Sequence, residues 1–285
     1  MKNLLPVSLV KMSGAGNTFV LIDARPGSPW DIAEKSLSRS RKDIAKMVCD
    51  RIFGVATDGA LFIEKGSDGF DFSWDFYNSD GSGAEMCGNA ARCAARFCHE
   101  SMGREDLSNI KFKTGAGLVT AQILGDGRIR VIMPEPHYLN KDLELKTKSS
   151  STEKFAYVNT GVPHLVQRIH NFADTVALKD MAREVRSHED LQPQGANVTF
   201  YVEDSVGKIH AVTFERGVED YTLACGTGAV AAALVYSEEA KVSDVSVTMP
   251  GGLMDVSFLA NDPHPLMTGD AVFIGEFQYN LEVLK

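Results

Sequence analysis

The chain has 285 residues, 44% of them hydrophobic and 24% charged, a balance that suits one large or two ordinary globular domains and excludes intrinsic disorder. Acidic residues number 38 against 29 basic ones, for a formal net charge of -9, which argues against a nucleic-acid partner. No apolar run approaches the ~20 residues of a membrane span, and Met1 to Pro6 shows no signal-peptide pattern. The expectation is a soluble, cytoplasmic protein with no membrane partner.

In chain order, Gly14-Ala15-Gly16-Asn17 starts like a dinucleotide fingerprint, but Phe19 stands where the third glycine belongs. Lys35 to Lys46, with Arg39, Arg41, Lys42 and Asp43, predicts a solvated helix face. Phe70, Phe72, Trp74 and Phe76 alternate with period two and predict a half-buried strand running into a polar loop at Asn78. After Met86-Cys87-Gly88-Asn89, the Ala-rich run Ala90 to Phe97 predicts a helix. Gly125-Asp126-Gly127 marks a domain boundary, so that residues 1–125 with 272–285 form one half and 126–271 the other.

The second half repeats the first. His210 to Phe214 predicts a strand, Glu215-Arg216-Gly217 a loop, and Ala229 to Tyr236, after Cys225-Gly226-Thr227-Gly228, a buried helix. An offset of 138 residues, the spacing of Cys87 and Cys225, superimposes Phe76 on Phe214, both Cys-Gly pairs, and Ala94-Ala95 on Ala232-Ala233. Gly117-Leu118-Val119 and Gly252-Leu253-Met254 echo each other 135 residues apart. This is a duplicated half in which each copy carries one cysteine at the equivalent place.

The five cysteines, Cys49, Cys87, Cys93, Cys98 and Cys225, are odd in number and lack Cys-x-x-Cys spacing. A disulfide framework, a structural zinc site and a thiol oxidoreductase are therefore all disfavoured. Cys49, Cys93 and Cys98 read as small buried hydrophobes. Cys87 and Cys225 differ, because each stands at the start of a predicted helix. A helix N-terminus carries about +0.5 of an elementary charge and unpaired N–H groups, which lower a thiol's pKa and hold a carboxylate. Two such ends facing one bound anion across a pseudo-twofold cleft would put two thiols on opposite faces of a carbon, as inversion of a stereocentre requires.

Other polar residues have plain default readings. His164, in Gly161-Val162-Pro163-His164, reads as a loop or hydrogen-bonded core histidine. Glu215-Arg216 reads as a solvated pair, and Asn17, Asn78 and Asn197 as turn residues that follow or end apolar strands. Their placement beside the repeated elements raises their interest.

These motifs resemble the diaminopimelate epimerases, cofactor-independent amino-acid racemases. The resemblance runs nearly end to end, through Lys11 to Phe19, Met86 to Cys93, Asn159 to His164, Glu215 to Asp220, Ala224 to Ala229 and Gly269 to Phe273. Asn89 after Cys-Gly favours this branch over the proline racemases, which usually carry His there. The resemblance implies two similar α/β domains, each a curved sheet wrapped around a central helix, with the active site in the interdomain cleft. It implies interconversion of LL- and meso-2,6-diaminopimelate, a precursor of lysine and peptidoglycan, by a homodimer without pyridoxal phosphate, metal or other cofactor. Cys87 and Cys225 match the catalytic pair. Gly88, Asn89, Gly226 and Thr227 match backbone donors to the α-carboxylate, and Asn17 and His164 match residues beside the reacting centre. Asn78, Asn197, Glu215 and Arg216 match residues that grip the distal amino and carboxylate groups. Departures are Thr18 where an acid is usual, Ala56 and Thr57 in a Gly-rich stretch, and Val162 where many members have Asn. The alternatives are a related racemase for another amino acid and, from a different class, a dicarboxylate-binding module without catalysis.

Overall fold

The computed structural model describes residues 6–67, 69–103, 109–148 and 151–284. The chain forms two compact units, Met1–Val131 with Asp270–Lys285, and Ile132–Gly269.

In the first unit, β1 (Val7–Gly14) and β2 (Asn17–Asp23) form an antiparallel hairpin. Its two turn residues, Ala15 and Gly16, both have positive φ, 49° and 86°, the geometry that matches the twist of flanking strands. The glycine-bearing segment is thus a hairpin turn rather than a phosphate loop. β3 (Gly59–Lys65) runs parallel to β2, β4 (Phe72–Asn78) antiparallel to β3, and β5 (Ile110–Thr114) parallel to β4. β6 (Gly117–Ile123) and β7 (Ile129–Ile132) continue antiparallel. β17 (Val272–Tyr279) adds to the other side, antiparallel to β1. The sheet order is therefore β17-β1-β2-β3-β4-β5-β6-β7.

One face of this sheet is covered by α1 (Pro29–Glu34) and α2 (Arg41–Cys49), over Val20, Ile22, Ala60 and Phe62. Ser28 and Ser40 cap the two helices by accepting from the N–H of Asp31 and Asp43. The stretch from Lys35 to Lys46 is the solvated helix face expected only in part: Lys35, Arg39, Lys42 and Lys46 are exposed, but it is not one helix. Its helix starts only at Arg41, and α2 buries Ile44, Ala45, Val48 and Cys49. Arg41 lies over the Phe62 ring, 5.0 Å from the centroid, and pairs with Glu34, Glu64 and Asp75 at 2.7, 2.6 and 3.3 Å. A planar fork with five donors can serve several carboxylates at once, which a count of charges along one segment does not reveal.

The second unit repeats the plan. β8 (His137–Lys146), β9 (Thr152–Asn159) and β10 (Pro163–Arg168) are successively antiparallel, and β11 (Asn197–Ser205) is parallel to β10. β12 (Lys208–Glu215) is antiparallel to β11 and carries the short β13 (Asp220–Tyr221). β14 (Asp244–Met249) is parallel to β12, and β15 (Gly252–Leu259) and β16 (Asp262–Gly269) follow antiparallel. The sequence of parallel and antiparallel neighbours is the same in both units, with β17 holding the place of β8. The two-repeat α/β fold expected from the sequence is the fold of the chain.

α4 (Thr175–Val185) covers one face of the second sheet, over Leu165, Val198, Phe200, Val212 and Phe214. α5 (Gly226–Ala240) lies on the other, in contact with β9 to β12 and β14 to β16. That enclosure explains the alanine run: small side chains let strands approach on nearly every side, and Ala229, Ala231, Ala232 and Ala233 are all fully buried. At Gly228 a Cβ would meet Thr213 Oγ1 at 2.2 Å, so only glycine fits. α3 (Gly88–Met102) is the counterpart in the first unit, packed on β1, β2, β3 and β6.

The sequence register needs one adjustment. Phe214 packs in the α4 cluster, whereas in the first unit it is Tyr77 that packs with the α2 cluster, with its ring 6.0 Å from Phe62. Strand alternation puts Phe76 on the opposite face, so Phe76 and Phe214 are not equivalents. The residues that share a face are Phe76 and Thr213. Phe70, also expected in this strand, precedes β4.

Candidate active site

In the first unit, Cys87 is the N-cap of α3, in extended conformation, and is half-buried. The N–H groups of the first turn follow at Gly88 and Asn89, and the Cys87 carbonyl accepts from Ala91 at 2.9 Å. The fully enclosed Asn89 donates through Nδ2 to Asn17 Oδ1 at 2.8 Å. Gly14 makes this approach close: a Cβ there would lie 2.7 Å from the Asn89 carbonyl oxygen. The β1–β2 turn therefore sits directly on the first turn of α3. Asn78 ends β4 and pairs with Gly59, and its Nδ2 donates to Ser82 Oγ at 3.0 Å on the exposed rim. Phe19 also pairs with Gly59, so Asn78 and the start of β2 share one end of the sheet. Thr18, the first departure from the family pattern, donates through N and Oγ1 to Asp58 Oδ2 at 2.7 and 3.0 Å, which supplies an acid from another loop.

The second unit carries the matching arrangement at Cys225, the N-cap of α5, with its Sγ 3.4 Å from Thr227 Oγ1. Thr227 Oγ1 lies 2.9 Å from Nε2 of the fully buried His164, whose Nδ1 is 3.0 Å from Thr199 Oγ1. Thr199 Oγ1 meets Thr213 Oγ1 at 3.0 Å. Asn197 Oδ1 accepts the Arg216 N–H at 2.9 Å, which turns its Nδ2 toward His164 Nε2 at 3.4 Å. An amide N–H can only donate, so His164 Nε2 is the acceptor and Nδ1 carries the proton. Burial, with the Arg216 cation nearby, pushes the His164 pKa down to about 3. The ring is neutral at any ordinary pH.

Glu215 ends β12, accepts from Thr222 Oγ1 at 2.7 Å, and takes a hydrogen bond from the Cys225 thiol. Burial raises its pKa, with the Thr222 and Cys225 donors opposing. The resemblance implies a distal ammonium partner for Glu215, and its side chain here also neighbours the sulfur of Cys225. Arg216 is exposed, and its Nη1 donates to the Gln194 carbonyl at 2.7 Å. Asn17 follows β1 and Asn78 ends β4, as expected, whereas Asn197 opens β11. His164 is both the core histidine of its default reading and a neighbour of the Cys225 turn.

Cys49, Cys93 and Cys98 are buried as expected, and desolvation pushes their thiols up to about 11, 12 and 11. Among the described residues there is no cluster of three or more His, Cys, Asp or Glu side chains fit to hold a metal ion. No helix among them is long and apolar enough to cross a membrane.

Sequence reasoning passed over Arg92, Thr199 and Thr213, all fully buried. Arg92 lay in plain view within the first cysteine motif; a cation one turn into an Ala-rich buried helix was the available signal. Thr199 and Thr213 gave none, because β-branched threonine is ordinary in strands.

The family model for diaminopimelate epimerase matches residues 9–139 and 156–274. The chain belongs to the diaminopimelate epimerase family. Similar members are the diaminopimelate epimerases of Hydrogenobaculum sp. (strain Y04AAS1), 37% identical over 89% of this chain and 92% of that one, and of Aquifex aeolicus (strain VF5), 36% identical over 96% and 98%. A chloroplastic diaminopimelate epimerase of Oryza sativa subsp. japonica is 33% identical over 93% of this chain and 78% of its own. Solved structures share the fold at low identity. A PhzF-family phenazine biosynthesis protein of Bacillus anthracis superposes with a TM-score of 0.71 at 14% identity, covering 95% of this chain and 98% of that one. A probable proline racemase of Agrobacterium radiobacter gives 0.69 at 16%, covering 95% and 92%. Within this diaminopimelate epimerase family member, both cysteine motifs fall at the same place of the repeat: strand, polar loop, then the N-cap of the buried helix.

Proposed function

We propose that this chain is a diaminopimelate epimerase of lysine biosynthesis, with Cys87 and Cys225 as the two bases. The observation that carries the reading is that each cysteine is the N-cap of the buried helix of its own repeat. One sulfur, as thiolate, takes the α-proton of LL-diaminopimelate; the electron pair passes into the α-carboxylate. The other sulfur, as thiol, then delivers its proton to the opposite face of the carbon, and the meso isomer results. The first thiol and the second thiolate are the starting state for the reverse direction.

Charge grows on the α-carboxylate as the C–H bond breaks. The N–H groups of Gly88 and Asn89 in one unit, and of Gly226 and Thr227 in the other, are fixed donors for it, and fixed donors need no reorganisation during the reaction. Glu215 and Thr227 both lie within hydrogen-bonding reach of the Cys225 sulfur. Neutral His164, linked through Thr227 to Cys225, orients this thiol without competing for its proton. Asn17 borders the reacting centre, Arg216 offers a planar fork to the distal carboxylate, and Asn78 and Asn197 complete the fit. The enzyme works in the cytoplasm as a homodimer.

Incubation with LL-diaminopimelate in D2O tests the reading. It predicts the meso isomer with deuterium at the inverted α-carbon, and no exchange with other amino acids in a panel. Binding of diaminopimelate without α-exchange would make the chain a binding module, and exchange confined to another amino acid would make it a different racemase.

A further inference from the structure

We propose that Arg92 is the positioning residue of the Cys87 half-site: folded back along the first turn of α3, it fixes the Asn89–Asn17 pair and holds a positive charge beside Cys87. The side chain is fully buried. Long helical side chains point toward the N-terminus, and Arg92 follows the rule, with Nη1 3.5 Å from the Gly88 carbonyl, Nη2 2.8 Å from Asn89 Oδ1 and Nε 3.1 Å from the Asp270 carbonyl. The position is unfavourable on two counts. A cation there opposes the positive end of the helix dipole, and burying it costs desolvation. An apolar residue would fill the space at less cost, so the charge has another use.

The hydrogen bonds show that use. A guanidinium only donates, so the Asn89 atom facing it is the carbonyl Oδ1, and the Asn89 NH2 is turned to Asn17 Oδ1 at 2.8 Å. Asn17, its own carbonyl occupied, keeps its NH2 as the donor for an anionic substrate group. One donor-only residue thus sets two amide orientations in series. The same guanidinium interacts electrostatically with Cys87, and favours thiolate there. Other ionisable groups of this region are Cys93, Arg96 and Asp270, and Glu85 in the preceding loop. On the strands packed against α3, Lys11 donates to the Val55 and Ala56 carbonyls, Asp23 pairs with Arg25, Glu64 with Arg41, and Lys65 ends β3 at the surface.

The kinetic consequence rests on the epimerase reading; the effect on Cys87 does not. Iodoacetamide alkylation of Cys87 and Cys225, followed against pH by peptide mass spectrometry, is compared in the intact protein and in Arg92→Gln, Arg92→Lys and Asn89→Asp. Arg92→Gln is expected to raise the Cys87 midpoint by about one pH unit, roughly a tenfold loss of thiolate below it, with Cys225 unmoved. Arg92→Lys keeps the charge and leaves the midpoint in place, yet raises KM for diaminopimelate several-fold more than it lowers kcat, since Asn17 is no longer oriented. Asn89→Asp pairs with Arg92, neutralises it and raises the midpoint as Arg92→Gln does, which decides the matter if Arg92→Gln fails to fold. An unchanged Cys87 midpoint in folded Arg92→Gln or Asn89→Asp would overturn the proposal. A wild-type protein inactive on diaminopimelate would overturn the epimerase reading and leave the alkylation comparison decisive.

Discussion

Asn197 turns its carbonyl to the Arg216 N–H at 2.9 Å and its NH2 to Nε2 of His164 at 3.4 Å. That orientation decides which imidazole nitrogen carries the proton. Nitrogen-15 NMR of labelled histidine should find His164 neutral with the proton on Nδ1. Asn197→Asp still accepts from Arg216 but faces Nε2 with a second acceptor, so the proton should move to Nε2 and the pKa should rise. An Nδ1–H tautomer that survives this substitution would refute the assignment.

A histidine held neutral makes the fold acid-labile. His164 titrates at about 3 in the folded protein and near ~6.5 when unfolded. Between those values the unfolded chain binds more protons, so this contribution is complete above ~6.5 and is lost as pH falls toward 3. From pH 7 to pH 5 the wild type should lose about 2 kcal/mol more stability than His164→Gln in urea unfolding. Equal losses in the two proteins would contradict the burial of a neutral ring.

Gly228→Ala should destabilise by about 1–3 kcal/mol through overpacking, although alanine is the better helix former by about 1 kcal/mol. The clash decides the sign, because the added Cβ would lie 2.2 Å from Thr213 Oγ1. Removing that atom in Thr213→Ala should relieve it. Thermal melts of the two single variants and the double variant should show the pair less destabilised than the sum of its parts. Additive losses would place the strain elsewhere.

The five cysteines should separate by reactivity in the native protein. With thiols pushed up to about 11 or 12 by burial, Cys49, Cys93 and Cys98 have about a thousandth or less as thiolate at pH 8. Half-buried Cys87 at its helix end should react first with iodoacetamide. Labelling of Cys93 ahead of Cys87 would contradict this order.

Much of this was legible in the sequence, for identifiable reasons. A duplicated Cys-Gly motif before an alanine run records a physical requirement, a helix approached by strands on nearly all sides, and the two repeats were visible for that cause. Residue facing was harder: the loop from β12 to Cys225 is one residue longer than its counterpart before Cys87, so Phe214 slid onto the face opposite to Phe76 while the cysteines stayed aligned. Long-range partners were not legible. Arg41 gathers carboxylates from three other elements and the loop after α1 is no helix, and Thr199 meets His164 on one side and Thr213 on the other only once three strands are side by side. The nearness of Glu215 to the Cys225 thiol was not legible either, because it depends on how the end of β12 meets the first turn of α5.

The central claim is that two thiols act on one α-carbon, and isotope tracing during early turnover tests it most directly. In D2O, LL-diaminopimelate should give meso product with one deuterium at the inverted centre while the remaining substrate stays unlabelled, and Cys87→Ala and Cys225→Ala should each abolish the conversion in a folded protein. Full activity in either variant, or meso product that retains its original α-proton, would contradict it.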